Sequence, residues 1–197
     1  LHGLGQTAHD WQSVIHQSSL SDADCPELFS FAENDFTYSG ILSGLEHFYA
    51  NASEPFVLCG LSLGALLALD YTIRHPERIS SLILVGAQYK VPTRLIDFQN
   101  LIFRCMPENA FTDMGLSKHD TIKLSHSMRM LDFSPKLSEI HCPVSVICGK
   151  KDRANLKAAK QLHALLPQSH LHIIPGAGHE VNKDAPKALA ALIENCI

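Results

Sequence analysis

The fold is decided by the stretch Pro55-Phe-Val-Leu-Cys-Gly-Leu-Ser-Leu-Gly-Ala-Leu-Leu-Ala-Leu-Asp70. It begins with an apolar run, Phe56 to Cys59, that is typical of a strand buried on both faces. It ends with a helical pattern rich in Ala and Leu, from Ala65 to Ile73. Between the two lies Gly60-Leu-Ser-Leu-Gly64, a G-x-S-x-G motif. The predicted strand before it and the predicted helix after it make this short motif a more specific signal.

The central residue of this motif, Ser62, is a candidate nucleophile. A sharp turn from strand to helix is expected to hold Ser62 in a strained backbone conformation, and glycine on either side lets neighbouring backbone approach closely. Its hydroxyl is then expected at the carboxyl edge of a parallel sheet, beside the positive N-terminus of a helix.

Length and composition indicate an ordinary globular protein. The 197 residues, of which 46% are apolar and 18% charged, fit one domain over residues 1–197. A net charge of −4 gives no electrostatic reason to expect nucleic acid or an anionic membrane as partner. No apolar run approaches the ~18 residues of a membrane span. Six cysteines without a C-x-x-C motif predict reduced thiols in a cytoplasmic protein.

Predicted strands alternate with predicted helices along the chain. The strands are expected at residues 27–31, 56–59, 81–86, 143–149 and 171–174, and the helices at 7–18, 41–51, 65–75, 155–166 and 184–195. This alternation predicts an α/β fold, a three-layer α/β/α sandwich around a mostly parallel sheet.

Residues 88–133 interrupt the alternation and are interpreted as a small helical cap or lid. Two helices are predicted there, near 93–105 and 117–131, in a segment rich in Phe and Met. Six apolar residues are candidates for lining a substrate pocket: Phe98, Ile102, Phe103, Met106, Phe111 and Met128. The alternative is that these side chains only pack the insertion onto the rest of the domain.

Two further residues complete a chemical set with Ser62. Asp152 follows a predicted strand in Gly149-Lys-Lys-Asp152, and His179 follows the last strand in Gly176-Ala-Gly-His179. Acyl transfer needs a nucleophile, a base that titrates near neutral pH and a carboxylate that orients the base. Near the N-terminus, His2-Gly-Leu-Gly5 is a loop of the kind that offers a backbone N–H to an oxyanion. No metal site is expected, since no pair of His at i, i+4 accompanies a Glu, and no cofactor motif is present.

Over essentially its whole length the sequence resembles the α/β-hydrolase superfamily. The motif around Ser62 matches the family's nucleophile elbow, and the segments ending at Gly5, Asp152 and His179 match its oxyanion, acid and histidine loops. The resemblance implies that Ser62 is the nucleophile, His179 the general base and then acid, and Asp152 the orienting carboxylate. It also implies an oxyanion hole formed by the N–H groups of Leu63 and Leu4, in a loop that includes His2, Gly3 and Gly5.

One departure from the family concerns the start of the sequence. Family members carry strands before the His-Gly loop, and the strand that feeds this loop lies in the middle of the sheet, whereas only Leu1 represents it here. Because a central strand satisfies the backbone groups of its neighbours, we expect further apolar residues upstream of Leu1 in the native chain.

The sequence thus predicts a serine hydrolase of the carboxylesterase or thioesterase kind, EC class 3.1. The expected substrate is a small ester or thioester with an apolar acyl group. Two alternatives remain open: a C–C bond hydrolase or menaquinone-pathway-type lyase with the same triad, and a non-catalytic receptor for a small ligand on this fold.

Overall fold

The computed structural model describes residues 1–20, 23–32 and 35–197. Its four strands are β1 (Phe56–Leu61), β2 (Ile79–Val85), β3 (Val144–Gly149) and β4 (Ser169–Ile174). Its α-helices are α1 (Gln12–His16), α2 (Tyr38–Phe48), α3 (Leu63–Arg74), α4 (Thr93–Cys105), α5 (Lys118–Ser127), α6 (Leu156–Leu165), α7 (Val181–Asp184) and α8 (Pro186–Glu194). Short 3₁₀ helices occupy Ala8–Trp11, Leu28–Ala32, Pro76–Arg78, Glu108–Met114 and Ser134–Glu139.

The strands form one parallel sheet in the order β1-β2-β3-β4. The register pairs Leu61 with Val85 and Val85 with Ile147, so the strands end at a common edge. Parallel strands that end together bring the loops that follow them into contact, which is the usual location of a site in such a sheet.

Apolar side chains cover both faces of the sheet, as the predicted three-layer sandwich requires. On β2, Leu82 and Leu84 belong to a buried cluster with residues of α2, α3 and α6. The alternating residues Ile83 and Val85 belong to a second cluster, which includes residues of α1, α7 and α8. Successive side chains of a strand point to opposite faces, so the sheet separates the two clusters and the predicted fold class is confirmed.

The predicted strand at residues 27–31 is wrong, because Leu28–Ala32 form a 3₁₀ helix. Leu28, Phe29 and Ala32 are buried while Ser30 is exposed, a helical rather than an alternating spacing. The N–H of Leu28 donates to Nε2 of His2 at 3.0 Å, so it is not available to a sheet.

Several helices differ from the predicted ranges only near their ends. The first predicted helix is a 3₁₀ turn followed by α1, and the last begins at Pro186, with Asp184 closing the preceding short helix. The Asp184 side chain does not cap this last helix, since its Oδ2 accepts a hydrogen bond from the N–H of Gly178 at 2.7 Å. None of the helices in the described residues is both long and apolar enough to cross a membrane.

The two ends of the insertion between β2 and β3 lie side by side, joined by two backbone hydrogen bonds. The N–H of Val91 donates to the Leu131 carbonyl at 2.9 Å, and the N–H of Phe133 donates to the Tyr89 carbonyl at 2.8 Å. Helix α4 has the predicted bounds, whereas α5 ends at Ser127, earlier than predicted. The insertion is therefore attached through a narrow base, beyond which α4 and α5 pack against each other.

Leu1 lies beside β1, on the side away from β2. Its amino group donates to the Cys59 carbonyl at 2.6 Å, and its own carbonyl accepts from the N–H of Leu61 at 3.1 Å. These two bonds are those of a parallel strand pair, and they bring the His2-Gly3 loop to the same sheet edge as Ser62.

Candidate active site

Ser62 sits in the turn between β1 and α3 with φ +56° and ψ −111°. It has positive φ, unlike every other non-glycine residue that the structure describes. Although Ser62 is the N-cap residue of α3, its side chain makes no capping hydrogen bond. Its N–H donates to the Val85 carbonyl at 3.0 Å, which fixes the turn against the end of β2. The hydroxyl thus lies at the positive end of α3 without being used to cap the helix.

Close backbone packing explains the first glycine of the motif. A Cβ on Gly60 would collide with the carbonyl oxygen of Gly64, so the strand and the first turn of α3 could not approach as they do. Gly3 lies on the other side of the turn, where an added Cβ would come within 3.4 Å of Ser62 Cβ. The His2-Gly3 loop therefore packs directly against the candidate nucleophile.

The N-terminal loop is held in shape by Gln6 and His2. The N–H of Gln6 donates to the Gly3 carbonyl at 3.2 Å, and Gln6 Oε1 accepts from the N–H of Gly3 at 3.2 Å. His2 is fully buried, and burial lowers its pKa. Its Nδ1 lies 3.0 Å from the Gly3 carbonyl oxygen, and its Nε2 lies 3.0 Å from both the Leu28 nitrogen and Glu27 Oε1, so the ring is held on both sides. In the part of the chain that the structure describes, the N–H groups of Leu4 and Leu63 donate to no protein acceptor.

Asp152 and His179 are brought together by the loops that follow β3 and β4. The N–H of Lys150 donates to Ile174 O at 2.9 Å and the N–H of Lys151 to Ala177 O at 2.8 Å, so the two loops run side by side. His179 Nδ1 then lies 2.7 Å from Asp152 Oδ2. The Asp152 carboxylate is buried, whereas the imidazole of His179 is 41% exposed.

The pKa of Asp152 results from two opposing causes. Burial by itself raises the pKa of this carboxyl, but hydrogen bonds from His179 and Asn155 outweigh burial, and the pKa lies below its ordinary value. Asp152 is therefore a carboxylate at neutral pH, as a residue that orients an imidazole must be.

Gly86 lies between Ser62 and the hydrogen-bonded pair of Asp152 and His179. It follows Val85, which accepts the hydrogen bond from Ser62, and it has φ +57°. An added Cβ at Gly86 would lie 3.0 Å from His179 Nδ1 and 3.6 Å from Asp152 Oδ2. All three predicted residues thus converge on the carboxyl end of β2, although they are far apart in sequence.

Gly86→Ala is expected to lower kcat/KM by about a hundredfold, because the new methyl group displaces the His179 ring from Asp152. Steady-state kinetics on a p-nitrophenyl ester would measure the loss. Gly115→Ala is the matched control, since Gly115 also has positive φ (+69°) but, among the side chains that the structure describes, its Cβ would meet a Phe29 ring carbon alone, at 3.9 Å. Equal losses of activity in both variants would attribute the effect to backbone strain and contradict the collision with His179.

Four polar residues around this pair were not predicted from the sequence. Asn155 and Gln88 extend from Asp152, and Gln6 and Asn182 join the N-terminal loop to the histidine loop. Gln6 Nε2 also donates to Glu180 Oε1 at 2.9 Å, and Lys183 Nζ lies 2.9 Å from the same oxygen. The available signal was a polar residue within three positions of the oxyanion, acid and histidine loops, and another just after β2. Amides on separate loops, however, reveal their partners only once the fold has paired the loops.

The six apolar residues suggested for a pocket do not share one environment. Phe111 and Met128 are buried, and the rings of Phe103 and Phe111 meet edge to face at 5.7 Å between centroids. Phe98 and Ile102 are 61% and 44% exposed on α4, beside the exposed Leu101. Met106 is half-buried at the end of that helix. Their role in binding a substrate stays a prediction.

An apolar groove of about 650 Å³ lies along the open side of β1, away from this site. Leu1, Trp11, Val14 and Ile193 contribute to its walls together with β1 itself. Ser62, Asp152 and His179 do not line it. Its volume is therefore no guide to the substrate of the candidate site.

A parallel sheet flanked by helices, with a serine at a strained strand–helix turn, defines the class of the α/β hydrolases. The chain belongs to this family: residues 1–192 match the pattern described as the alpha/beta hydrolase family. The family resemblance drawn from the sequence motifs is thereby confirmed.

Similar proteins are named for different activities. A Bacillus subtilis protein, provisionally named a 2-succinyl-6-hydroxy-2,4-cyclohexadiene-1-carboxylate synthase, is 22% identical over 98% of this chain and 87% of its own. An Escherichia coli protein, provisionally named the carbamate hydrolase RutD, is 25% identical over 79% of this chain and 67% of its own. A solved esterase from Thermogutta terrifontis has a TM-score of 0.78 at 19% identity, covering 98% of this chain and 86% of its own. Each is a protein that this chain resembles in sequence or fold.

Proposed function

We propose that the protein is a serine hydrolase that cleaves a small ester or thioester with an apolar acyl group. The observation that carries the proposal is the buried Asp152 carboxylate bound to His179 at 2.7 Å, against the same end of β2 that binds the backbone of Ser62. This is the set of groups that acyl transfer through a covalent intermediate needs.

In the proposed mechanism, Ser62 Oγ attacks the substrate carbonyl carbon while Nε2 of His179 accepts its proton. The carbonyl electron pair moves onto oxygen, and the N–H groups of Leu63 and Leu4 donate to that oxyanion. The oxyanion then collapses, the bond to the leaving alcohol or thiol breaks, and His179 returns the proton to that group. Water repeats the sequence on the acyl-enzyme and releases the carboxylic acid.

The insertion supports an apolar acyl group. Phe98, Leu101 and Ile102 leave large apolar side chains exposed on α4, in a segment attached to the domain just beyond the end of β2. We propose that this exposed apolar surface contacts the part of the substrate that extends away from Ser62.

The proposal is tested by covalent labelling with a fluorophosphonate, followed by intact mass and peptide mapping. We expect a single adduct on Ser62, formed at least about a hundred times more slowly in His179→Ala because the base is missing. His170→Ala is the matched control, since His170 is an exposed histidine on β4. An unlabelled Ser62 in folded wild-type protein would refute an activated serine.

A second candidate is a lyase or C–C bond hydrolase with the same residues, favoured by the similarity to the Bacillus subtilis synthase over 98% of this chain. Labelling does not separate this candidate from an esterase, but turnover of a series of p-nitrophenyl esters does. A labelled protein that cleaves no ester or thioester beyond a single turnover would favour the lyase, or the non-catalytic receptor.

A further inference from the structure

Asn155 occupies the N-cap position of α6, yet its side chain makes no capping hydrogen bond. Its Nδ2 donates instead to both oxygens of Asp152, at 3.0 Å to Oδ1 and 2.8 Å to Oδ2. The Asn155 backbone N–H also donates to Oδ1, at 3.2 Å. An Asn at this position ordinarily accepts a bond from the helix, so the side chain is directed at the acid at the expense of its usual role.

Gln88 determines which way the Asn155 amide faces. Its Nε2 donates to Asn155 Oδ1 at 2.6 Å, which leaves Nδ2 directed at the Asp152 carboxylate. Gln88 lies just beyond Gly86 at the end of β2, and Asn155 is buried at the start of α6. A chain of hydrogen bonds therefore runs from the end of β2 through Gln88 and Asn155 to the acid and on to the His179 ring.

We propose that Asn155, oriented by Gln88, is a positioning residue for His179. Its amide fixes the orientation of the Asp152 carboxylate and shares the negative charge of that carboxylate, which weakens the attraction between Asp152 and a protonated His179. The proposal rests on the proposed function, because it assigns a role in the acid–base pair of that site. Nothing in the motifs around Ser62, Asp152 or His179 demands an amide at either position.

Geometry gives the first part of this role. A carboxylate bound only to the imidazole can rotate about its Cβ–Cγ bond. The amide of Asn155 bridges both Asp152 oxygens, which leaves Oδ2 facing His179 Nδ1. The ring is then held in the tautomer that keeps Nε2 unprotonated and available to Ser62.

Electrostatics gives the second part. Hydrogen bonds donated by Asn155 share the carboxylate charge, which weakens the stabilisation that Asp152 gives to a protonated His179. The positive amide edge also lies 3.0 Å from His179 Nδ1, where it disfavours an imidazolium. Both effects have the same sign, and both are lost when the amide is removed.

Asn155→Ala removes the amide and leaves the backbone bond to Asp152 in place. We expect the acid limb of the kcat/KM profile to move to higher pH by roughly 0.5 to 1 unit, the equivalent of one hydrogen bond. We expect kcat to fall by about tenfold with KM nearly unchanged, because the ring is less well held. NMR titration of the His179 ring without substrate should show the same shift. Asn195→Ala, at the exposed end of α8, is the matched control.

Gln88→Ala is the second variant, because it alters neither α6 nor any atom bonded to Asp152. Loss of the donor to Asn155 Oδ1 lets the amide rotate, so we expect a smaller shift of the His179 titration in the same direction. The double variant should shift the titration no further than Asn155→Ala alone, since both changes act through one amide. Gln168→Ala, on the exposed turn before β4, is the control for a lost glutamine.

The other charges beside His179 are Glu180, held by Gln6 and Lys183, and Asp184, which binds the N–H of Gly178. They are the same in all five variants. An unshifted His179 titration in Asn155→Ala, with only a lower melting temperature, would overturn the proposal, as would additive shifts in the double variant. Failure of the wild type to react with the fluorophosphonate would refute the proposed function instead, since the NMR titration needs no catalysis.

Discussion

Ser62→Ala is expected to lower kcat by about 10⁴- to 10⁶-fold, the range seen when a serine hydrolase loses its nucleophile. The remaining rate would come from binding and from the backbone N–H groups of Leu63 and Leu4, which do not depend on the hydroxyl. Ester turnover and fluorophosphonate labelling should disappear together while the far-UV circular dichroism stays unchanged. Ser18→Ala is a matched control, since this serine lies beyond α1, outside the site. Retained turnover in Ser62→Ala would contradict the assignment of the nucleophile.

The strained backbone conformation of Ser62 is also expected to lower the free energy of unfolding of the protein. At φ +56° and ψ −111° a residue with a Cβ is strained, whereas glycine is not. Ser62→Gly should therefore be as inactive as Ser62→Ala but more stable than it, by about 1 kcal/mol in the free energy of unfolding. Urea denaturation of the two variants measures the difference. A glycine variant that is less stable than the alanine variant would mean that this turn stores no strain.

Asp152→Asn is expected to reduce kcat by about 10⁴-fold without displacing the ring. An amide can donate to His179 Nδ1 where the carboxylate accepts, and the ring would then carry its proton on Nε2, unable to take one from Ser62. The new side chain would also need an acceptor where Asn155 now donates. Asp24→Asn, an exposed carboxylate elsewhere, is the matched control for the lost charge. Activity within about tenfold of wild type would show that Asp152 does not set the tautomer.

The same variant changes how stability depends on pH. Because the fold lowers the pKa of Asp152, its carboxylate stabilises the native state above the unfolded pKa, and that stabilisation disappears as the pH falls through the folded pKa. Wild-type protein should therefore lose more free energy of unfolding between about pH 5 and pH 3 than Asp152→Asn does. Denaturant titrations at a series of pH values would measure the two slopes, and parallel slopes would contradict the lowered pKa.

The neighbourhood of Ser62 could be predicted because it is local. A buried strand, a turn with glycine at close approach and an Ala- and Leu-rich helix lie within one continuous stretch, so β1 and α3 follow from periodicity and glycine placement. The strand–helix alternation after residue 55 likewise determined the parallel sheet, and with it the expectation that Asp152 and His179 follow neighbouring strands. The segment at 27–31 misled the prediction, because an apolar run of five residues fits a strand or a helical turn equally well.

By itself, then, the sequence determined the sheet and the strained turn at Ser62, and it predicted that Asp152 and His179 follow neighbouring strands. Each of these depends on short-range patterns and on the rule that parallel strands end at one edge. Tertiary structure alone decided the rest. Gly86 shows its importance only where its missing Cβ leaves room for His179. Asn155 and Gln88, which lie 67 positions apart, become partners only when α6 is packed beside the end of β2. An amide can pair with almost any polar group, so its partner is set by the packing of the loops and not by the residues next to it.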